Sequence, residues 1–297
     1  NNQVKSVIVS RIQESTTIDK IETDTVVLAI GHSSRDMFKK LYEKHVEMEK
    51  KNFSVGVRIE HKQQMINESQ YGKNPKLKLP PAEYKLAYHG EDRSCYTFCM
   101  CPGGYVVNSS SRKGMLAVNG MSYHKRDSEN ANSAIIVTIN KDDFGPLPLD
   151  GVKYQEILEK KFYEACNGKI PVQLYGDFKM NKDSFEFKDV KPLFKGDYEF
   201  YNLRKLFPDY ISSSLIEAID NMGLKIKSFN RYDAIVAGIE SRTSSPIKII
   251  RNDEFESNIS GIYPCGEGAG YAGGITSSAM DGIKVANQII SKYKGVN

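Results

Sequence analysis

No apolar run in this chain is long enough to cross a bilayer. The longest purely aliphatic stretch, Val26-Val27-Leu28-Ala29-Ile30, is five residues, far short of the ~20 that a spanning helix needs, so no membrane partner is expected. Charge of either sign is not in excess: 41 Lys and Arg stand against 37 Asp and Glu, a net +4. With no stripe of basic and aromatic residues, that balance argues against nucleic acid as a partner. A basic n-region followed by an apolar h-region is missing from the start. Cysteines are few and odd in number, five, which points to free thiols in a reducing compartment, the cytoplasm. Internal repeats and low-complexity tracts are also lacking. What remains is ordinary globular material, 40% hydrophobic and 26% charged over 297 residues, enough for one large core or two modest ones. Residue 1 is Asn rather than Met, so the chain is expected to be part of a longer one.

The first thirty residues read as a short β-meander, with strands at 4–9, more weakly at 18–21, and a buried strand at 25–30 that stops at Gly31. Ser33 and Asp36 have capping-box spacing for a helix with Phe38, Leu41, Tyr42 and Val46 at helical intervals. Phe53, Val55, Val57 and Ile59 alternate with Ser54, Gly56, Arg58 and Glu60. That pattern predicts a half-buried strand with Arg58 and Glu60 as a solvated pair on its exposed face. Residues 62–85, with Pro75, Pro80 and Pro81, predict a long surface excursion. Two strands around Pro102-Gly103-Gly104 and one at 134–139 follow. A helix is expected at 154–166 with Ile157, Leu158, Phe162 and Ala165 inward, and another at 212–222 ended by Gly223. Short apolar strands at 235–239, 247–250 and 261–264 precede a last helix at about 275–293, with Ala279, Ile283, Ala286 and Ile290 on one face. The expected class is α/β, or mixed α+β, in two interleaved domains.

The most informative stretch is Gly266-Glu267-Gly268-Ala269-Gly270-Tyr271-Ala272-Gly273-Gly274. It contains G-x-G-x-x-G at Gly268, Gly270 and Gly273, a dinucleotide fingerprint if taken alone. That fingerprint needs a helix and a second strand behind it, with an acidic residue about 20 positions on. Here only a helix follows, so the cluster is expected to close a fold rather than start one. Two strand–glycine units thus stand near opposite ends, one ending Ala29-Ile30-Gly31-His32 and the other Tyr263-Pro264-Cys265-Gly266-Glu267. Ligands of open α/β sheets bind beyond the carboxyl ends of strands. Glycines there admit a ligand to the backbone amides, and the following helix N-terminus is electropositive. Glu267 can accept from ligand hydroxyls but would repel a bare phosphate, so a polyol or ribose beside a diphosphate fits better.

Through these residues the chain resembles the two later FAD motifs of flavoproteins with the glutathione-reductase-type fold. More closely, it resembles a bacterial family of largely uncharacterised FAD-dependent dehydrogenases. The similar segments include Phe53-Ser54-Val55-Gly56-Val57-Arg58-Ile59-Glu60-His61 and Thr97-Phe98-Cys99-Met100-Cys101-Pro102-Gly103-Gly104. Val118-Asn119-Gly120-Met121-Ser122-Tyr123 and Gly238-Ile239-Glu240-Ser241-Arg242-Thr243-Ser244-Ser245-Pro246 are two more. The resemblance implies an incomplete Rossmann-like FAD-binding domain, 1–50 and 236–297, with a mixed-β substrate or cap domain, 51–235, inserted. It implies FAD as cofactor, held by Gly31, Gly266, Glu267, Gly268, Ala269, Gly270, Tyr271, Gly273, Gly274 and Ile275. Glu267 would meet the ribityl chain or a neighbouring phosphate, and the last helix would aim its N-terminus at the pyrimidine end of the ring, where reduced flavin is negative. Hydride would pass between a small-molecule substrate and flavin, with NAD(P)H a candidate electron donor. Family members open with a strand and G-x-G-x-x-G for the ADP half of FAD, and neither precedes Val26. The expectation is a C-terminal portion that binds FAD poorly and is inactive alone.

Arg242, among Ser241, Thr243, Ser244 and Ser245, is the candidate catalytic residue. An arginine can hold a carboxylate substrate or the flavin N1–O2 edge, and a solvated surface turn is the competing reading. Cys99 and Cys101 are expected to share a strand face with Cys95 and Thr97, as small thiols facing a core in preference to a redox pair or metal ligands. Cys166 and Cys265 read as packing residues. His32 reads as structural or flavin-facing, the former favoured. His45, His89 and His124 show no ligand spacing, and no catalytic metal is expected. Two other functions compete with the flavoenzyme: a non-catalytic nucleotide- or anion-binding module of the same fold, and an FAD-dependent RNA-modifying enzyme, which the mild charge disfavours.

Overall fold

The computed structural model describes residues 2–10, 18–73 and 76–294; Pro75 lies outside them. The fold is mixed α/β with several sheets. The chain divides into two compact units, Asn1–Phe53 with Asn140–Lys153 and Ser244–Asn297, and Ser54–Ile139 with Tyr154–Thr243. Residues 140–153 thus join the first unit, and 236–243 the second. No helix among the described residues is long and apolar enough to cross a membrane.

Among the described residues, the first unit carries three two-stranded sheets and the helices Arg35–Glu43 and Ile275–Lys294. Ser6–Ser10 pairs antiparallel with Ile18–Glu22, and Met48–Lys50 with Ile247–Ile249. Val26–Leu28 runs parallel to Ile262–Pro264, in the register Val26 to Ile262 and Leu28 to Pro264. The helix Arg35–Glu43 turns Phe38 and Leu41 into a core with Leu28, Val46, Val152, Ile247, Ile249 and Ala269. Its N-cap is Ser34, whose hydroxyl donates to the Ile30 carbonyl at 2.7 Å, and no side chain caps the helix from that position. The expected capping box is therefore replaced by a bond back to the strand end. Along the last helix, Ile275–Lys294, the buried positions are Asp281 and Val285. The stripe of Ala279, Ile283, Ala286 and Ile290 faces out, with Ile283 62% exposed. The buried face is instead the one that carries Asp281, whose ion pair with Arg251 turns it inward.

The second unit carries a seven-stranded sheet in the order Tyr198–Phe200, Ile170–Leu174, Ile235–Glu240, Phe53–Lys62, Asn130–Ile139, Ser94–Cys101 and Ala87–His89. A three-stranded sheet, Phe194–Lys195, Gly104–Asn108 and Val118–Ser122, accompanies it. The two strands flanking Pro102-Gly103-Gly104 thus enter different sheets instead of pairing with each other. Val106, Val118, Ile170, Val172, Leu174, Val190, Ile235 and Ala237 form a core of this unit. The expected surface excursion contains a helix, Gln63–Tyr71, whose mostly polar sequence hides its period although Ile66 is fully buried. In the helix Asp150–Ala165, Ile157 points outward and Gln155 and Glu159 are buried instead. Gly223 does not end its helix, Asp209–Lys225. The Asn230 side chain packs where a Cβ at 223 would stand.

The largest departure is on Phe53–Lys62. Arg58 and Glu60 are fully buried, not solvated. The strand is internal to its sheet, and Asn119 and Gly120 of the three-stranded sheet press on the Arg58 guanidinium. The polar positions of the alternation therefore form a polar layer, not a water-facing surface.

Candidate functional site

The parallel pair brings the two strand–glycine units side by side. Gly31 follows the first strand at φ +65°, with nothing within 4 Å of where a Cβ would stand. Gly268 lies directly against it, and a Cβ at 268 would overlap the Gly31 backbone. Only glycine permits that approach of two main chains. Gly266 donates its N–H to Asp281 Oδ2 at 2.8 Å and accepts from the Tyr271 N–H at 3.1 Å. The Gly270 N–H returns to the Glu267 carbonyl at 2.9 Å, closing a tight loop. Ala269 is buried in the core, and its carbonyl accepts from the Ile249 N–H at 3.1 Å. The Gly268 carbonyl accepts from Ser245 Oγ at 3.2 Å. Tyr271 donates its hydroxyl to the Ile249 carbonyl at 2.9 Å. The Gly273 and Gly274 amides reach Ser277 Oγ at 3.3 and 3.1 Å, and Ile275 opens the last helix almost wholly exposed.

A clamp that the sequence does not advertise holds this loop. Arg251 Nη1 and Nη2 meet Asp281 Oδ2 and Oδ1 at 3.0 and 2.7 Å, and Nη1 also reaches the Pro264 carbonyl at 2.7 Å. The guanidinium carbon lies 3.5 Å from the Tyr271 ring centroid and 4.4 Å from that of Phe255, a cation–π arrangement. Burial alone would raise the Asp281 pKa, but bonds from Arg251 and the Gly266 N–H leave it below the ordinary carboxylate range. In sequence, Asp281 is one charge on a mixed helix face, so only its partner could have singled it out.

Glu267 pairs with a histidine from the other strand–glycine unit. Its Oε1 lies 2.7 Å from Nδ1 of His32, a buried ring whose Nε2 has no hydrogen-bond partner among the described residues. Lys51 is near enough to interact electrostatically with Glu267. Burial holds its ammonium below the ordinary lysine value, with Glu267 opposing. His32 and Lys51 are thus added to the expected residues.

Arg242 belongs to the second unit. Its Nε and Nη2 grip Glu159 at 3.1 and 3.0 Å, and Nη1 donates to Ser111 Oγ. Ser241 Oγ donates to the same carboxylate at 2.6 Å. The competing picture of a solvated turn is excluded, since the Arg242 side chain is only 10% exposed and Glu159 is fully buried.

Close by in sequence lies the polar layer. Arg58 donates from Nε to Asn132 at 2.8 Å, from Nη1 to Asn119 and Glu240 at 3.2 and 3.1 Å, and from Nη2 to the Cys99 carbonyl and toward Cys101 Sγ. Burial raises the Glu240 carboxyl even against the attraction of Arg58. Glu60 Oε1 accepts from Asn130 and the Leu193 N–H at 2.9 and 3.0 Å, yet burial pushes its pKa up to about 7. His61 hydrogen-bonds the Phe229 carbonyl at 2.6 Å and burial lowers it to about 4. Cys99 does not share the face of Cys95 and Thr97. It sits at φ +43° where the strand register slips, and its residue is exposed at a cavity of about 570 Å³. The bulge reverses the alternation on which the expectation rested. Cys166 and Cys265 are buried.

Residues 52–243 match the family described as FAD-dependent protein, C-terminal domain-like. An uncharacterized protein of Clostridium beijerinckii is 50% identical over 280 residues, covering 92% of this chain and 52% of that relative. The chain therefore spans about half the length of the curated relative it matches. The family match ends at Thr243, the last residue of the second unit, and the glycine loop lies beyond it.

Proposed function

We propose, for a chain that belongs to the FAD-dependent protein, C-terminal domain-like family, that the first unit holds the flavin and ribityl side of FAD in an FAD-dependent oxidoreductase. The second unit is its substrate or cap domain. One observation carries this reading: two parallel strands end side by side in glycines whose main chains touch, with Glu267 and His32 just past the strand ends. The residues present suit such a group. Space is open beside Gly31 and Gly273, and the buried His32 Nε2 lacks a partner among the described residues.

When bound, FAD supplies a two-electron acceptor for hydride. The chain's own contributions are binding and orientation. Gly31 keeps a side chain out of the cofactor's path, Gly268 lets the two main chains meet, and Glu267 and His32 meet hydroxyls. The N-terminal end of Ile275–Lys294 adds the positive end of a helix dipole for the charge that reduced flavin carries. Arg242 serves as the substrate-side residue, its guanidinium held in place by Glu159, and NAD(P)H is the electron donor.

Reconstitution with FAD tests the reading. Visible flavin absorbance retained through gel filtration, and bleached anaerobically by NAD(P)H, is the expected result. Thermal stabilisation by ADP but not by FAD would instead favour a nucleotide-binding module without redox chemistry.

A further inference from the structure

Cys99 and Cys101 stand two residues apart where the strand Ser94–Cys101 bulges. Phe98 faces Ala134 on the neighbouring strand and Cys101 faces Asn132, so three steps of one strand cover two of the other. In a regular strand, residues two apart are separated by about 6.8 Å, at the limit of what a disulfide bridges. The bulge packs one extra residue into that length and draws the two cysteines closer.

The two sulfurs have different surroundings. Cys99 is exposed and lines the cavity of about 570 Å³ together with Tyr84, Lys85, Phe98 and Met100. Cys101 is half-buried, and its Sγ turns back to 3.4 Å from the Cys99 carbonyl oxygen. Arg58 Nη2 lies 3.5 Å from the same sulfur, and Asn132, Asn119 and Glu240 hold that guanidinium in place. A fixed cation beside a sulfur stabilises the thiolate that exchange chemistry needs. Burial keeps the Cys101 thiol above its ordinary value with Arg58 opposing, so the exposed partner reacts first.

The geometry points to Cys99 and Cys101 as a redox-active dithiol that reduces small organic disulfides, with the cavity beside Cys99 as their binding site. Cys99, as thiolate, attacks one sulfur of the substrate. The substrate S–S bond breaks, and the first product leaves as a thiolate that takes up the proton Cys99 gave up. Cys101, as thiolate, then attacks the Cys99 sulfur of the mixed disulfide and expels the second product, which takes up the proton of Cys101. Two electrons pass from the pair to the substrate, and the pair is left as a disulfide. Both thiols belong to the second unit, so this activity stands whether or not the glycine loop of the first unit holds a flavin.

The test uses the whole chain, reduced, desalted and mixed anaerobically with glutathione disulfide. Two equivalents of glutathione should appear per chain, and the intact mass should fall by two hydrogens, with the link mapped between Cys99 and Cys101 by tandem mass spectrometry. A lasting glutathione adduct on the wild-type chain, a link between another pair of cysteines, or no reaction overturns the inference. The initial rate should saturate with disulfide concentration; a rate that climbs linearly to the limit of solubility removes the cavity from the proposal. Cys101→Ser should release one equivalent and stall as the mixed disulfide on Cys99, and release of two equivalents by this variant contradicts the assignment. Cys99→Ser should slow the first release by about tenfold or more, since only a shielded thiol then remains to attack. Cys95→Ser, which removes a buried thiol of the same strand, should match wild type. The wild-type stoichiometry decides the question even where a variant fails to fold.

Discussion

Arg251 and Asp281 meet as a two-pronged ion pair, at 3.0 and 2.7 Å, with both side chains more than nine-tenths buried. The pair joins the segment after Ile247–Ile249 to the last helix. Asp281 also takes the Gly266 N–H, so it fixes the glycine loop. Removing one partner of a buried pair strands the other charge. Asp281→Ala should cost about 3 kcal/mol in urea unfolding. Asp281→Asn should cost less, because its amide oxygen can still accept from Gly266. Equal losses for the two would show that the loop contact contributes nothing.

The contact between Gly31 and Gly268 makes a sharper demand. Gly268→Ala places a methyl on the Gly31 backbone, where no side-chain rotation relieves the overlap. Calorimetry should show a loss of about 3 kcal/mol, the upper range for overpacking. Gly273→Ala, with open space at its Cβ, should stay within about 0.5 kcal/mol and serves as the control.

Glu60 and His61, adjacent on one strand, pull stability in opposite directions with pH. Burial raises Glu60 from 4.5 to about 7, so its contribution is complete below about pH 4.5 and is lost as pH rises through 7. Burial lowers His61 from 6.5 to about 4, so its contribution is present above about pH 6.5 and is lost as pH falls through 4. Between pH 4.5 and 6.5 the two slopes cancel. Glu60→Gln should gain on wild type as pH rises from 4 to 8, by on the order of 3 kcal/mol. The same variant should lose stability steeply below pH 6.5. Parallel wild-type and variant curves across that range would refute the assignment.

Thiol chemistry should separate the cysteines by environment. Cys99 is exposed, whereas burial pushes the Cys95 thiol up to about 12 and Cys166 to about 11. Only the thiolate alkylates. Iodoacetamide at pH 8, followed by peptide mass mapping, should modify Cys99 first and leave Cys95 and Cys166 untouched until the protein unfolds. Labelling of Cys95 at a rate matching Cys99 would contradict this.

Features that depend on neighbouring residues in the chain were legible in the sequence. The apolar runs at Val26 and Ile262, the glycines that stop them and the final helix are local patterns, and the observed elements fall at those places. The polar layer was not legible, because alternation reports that two faces differ without saying what covers each. Arg58 and Glu60 look like a solvent face until the strand bearing Asn119 is laid over them. His32 likewise reads as a lone histidine until a glutamate 235 residues away reaches its ring.

Local chain chemistry sets where the strands stop, where glycine is placed, and that Glu267 follows one of those stops. Packing between distant segments settles which charges are buried, which face of the last helix turns inward, and that Glu267 is joined to His32. Backbone preferences and glycine's freedom act within a few residues, whereas burial and ion pairing are settled between segments that meet only when the chain has folded.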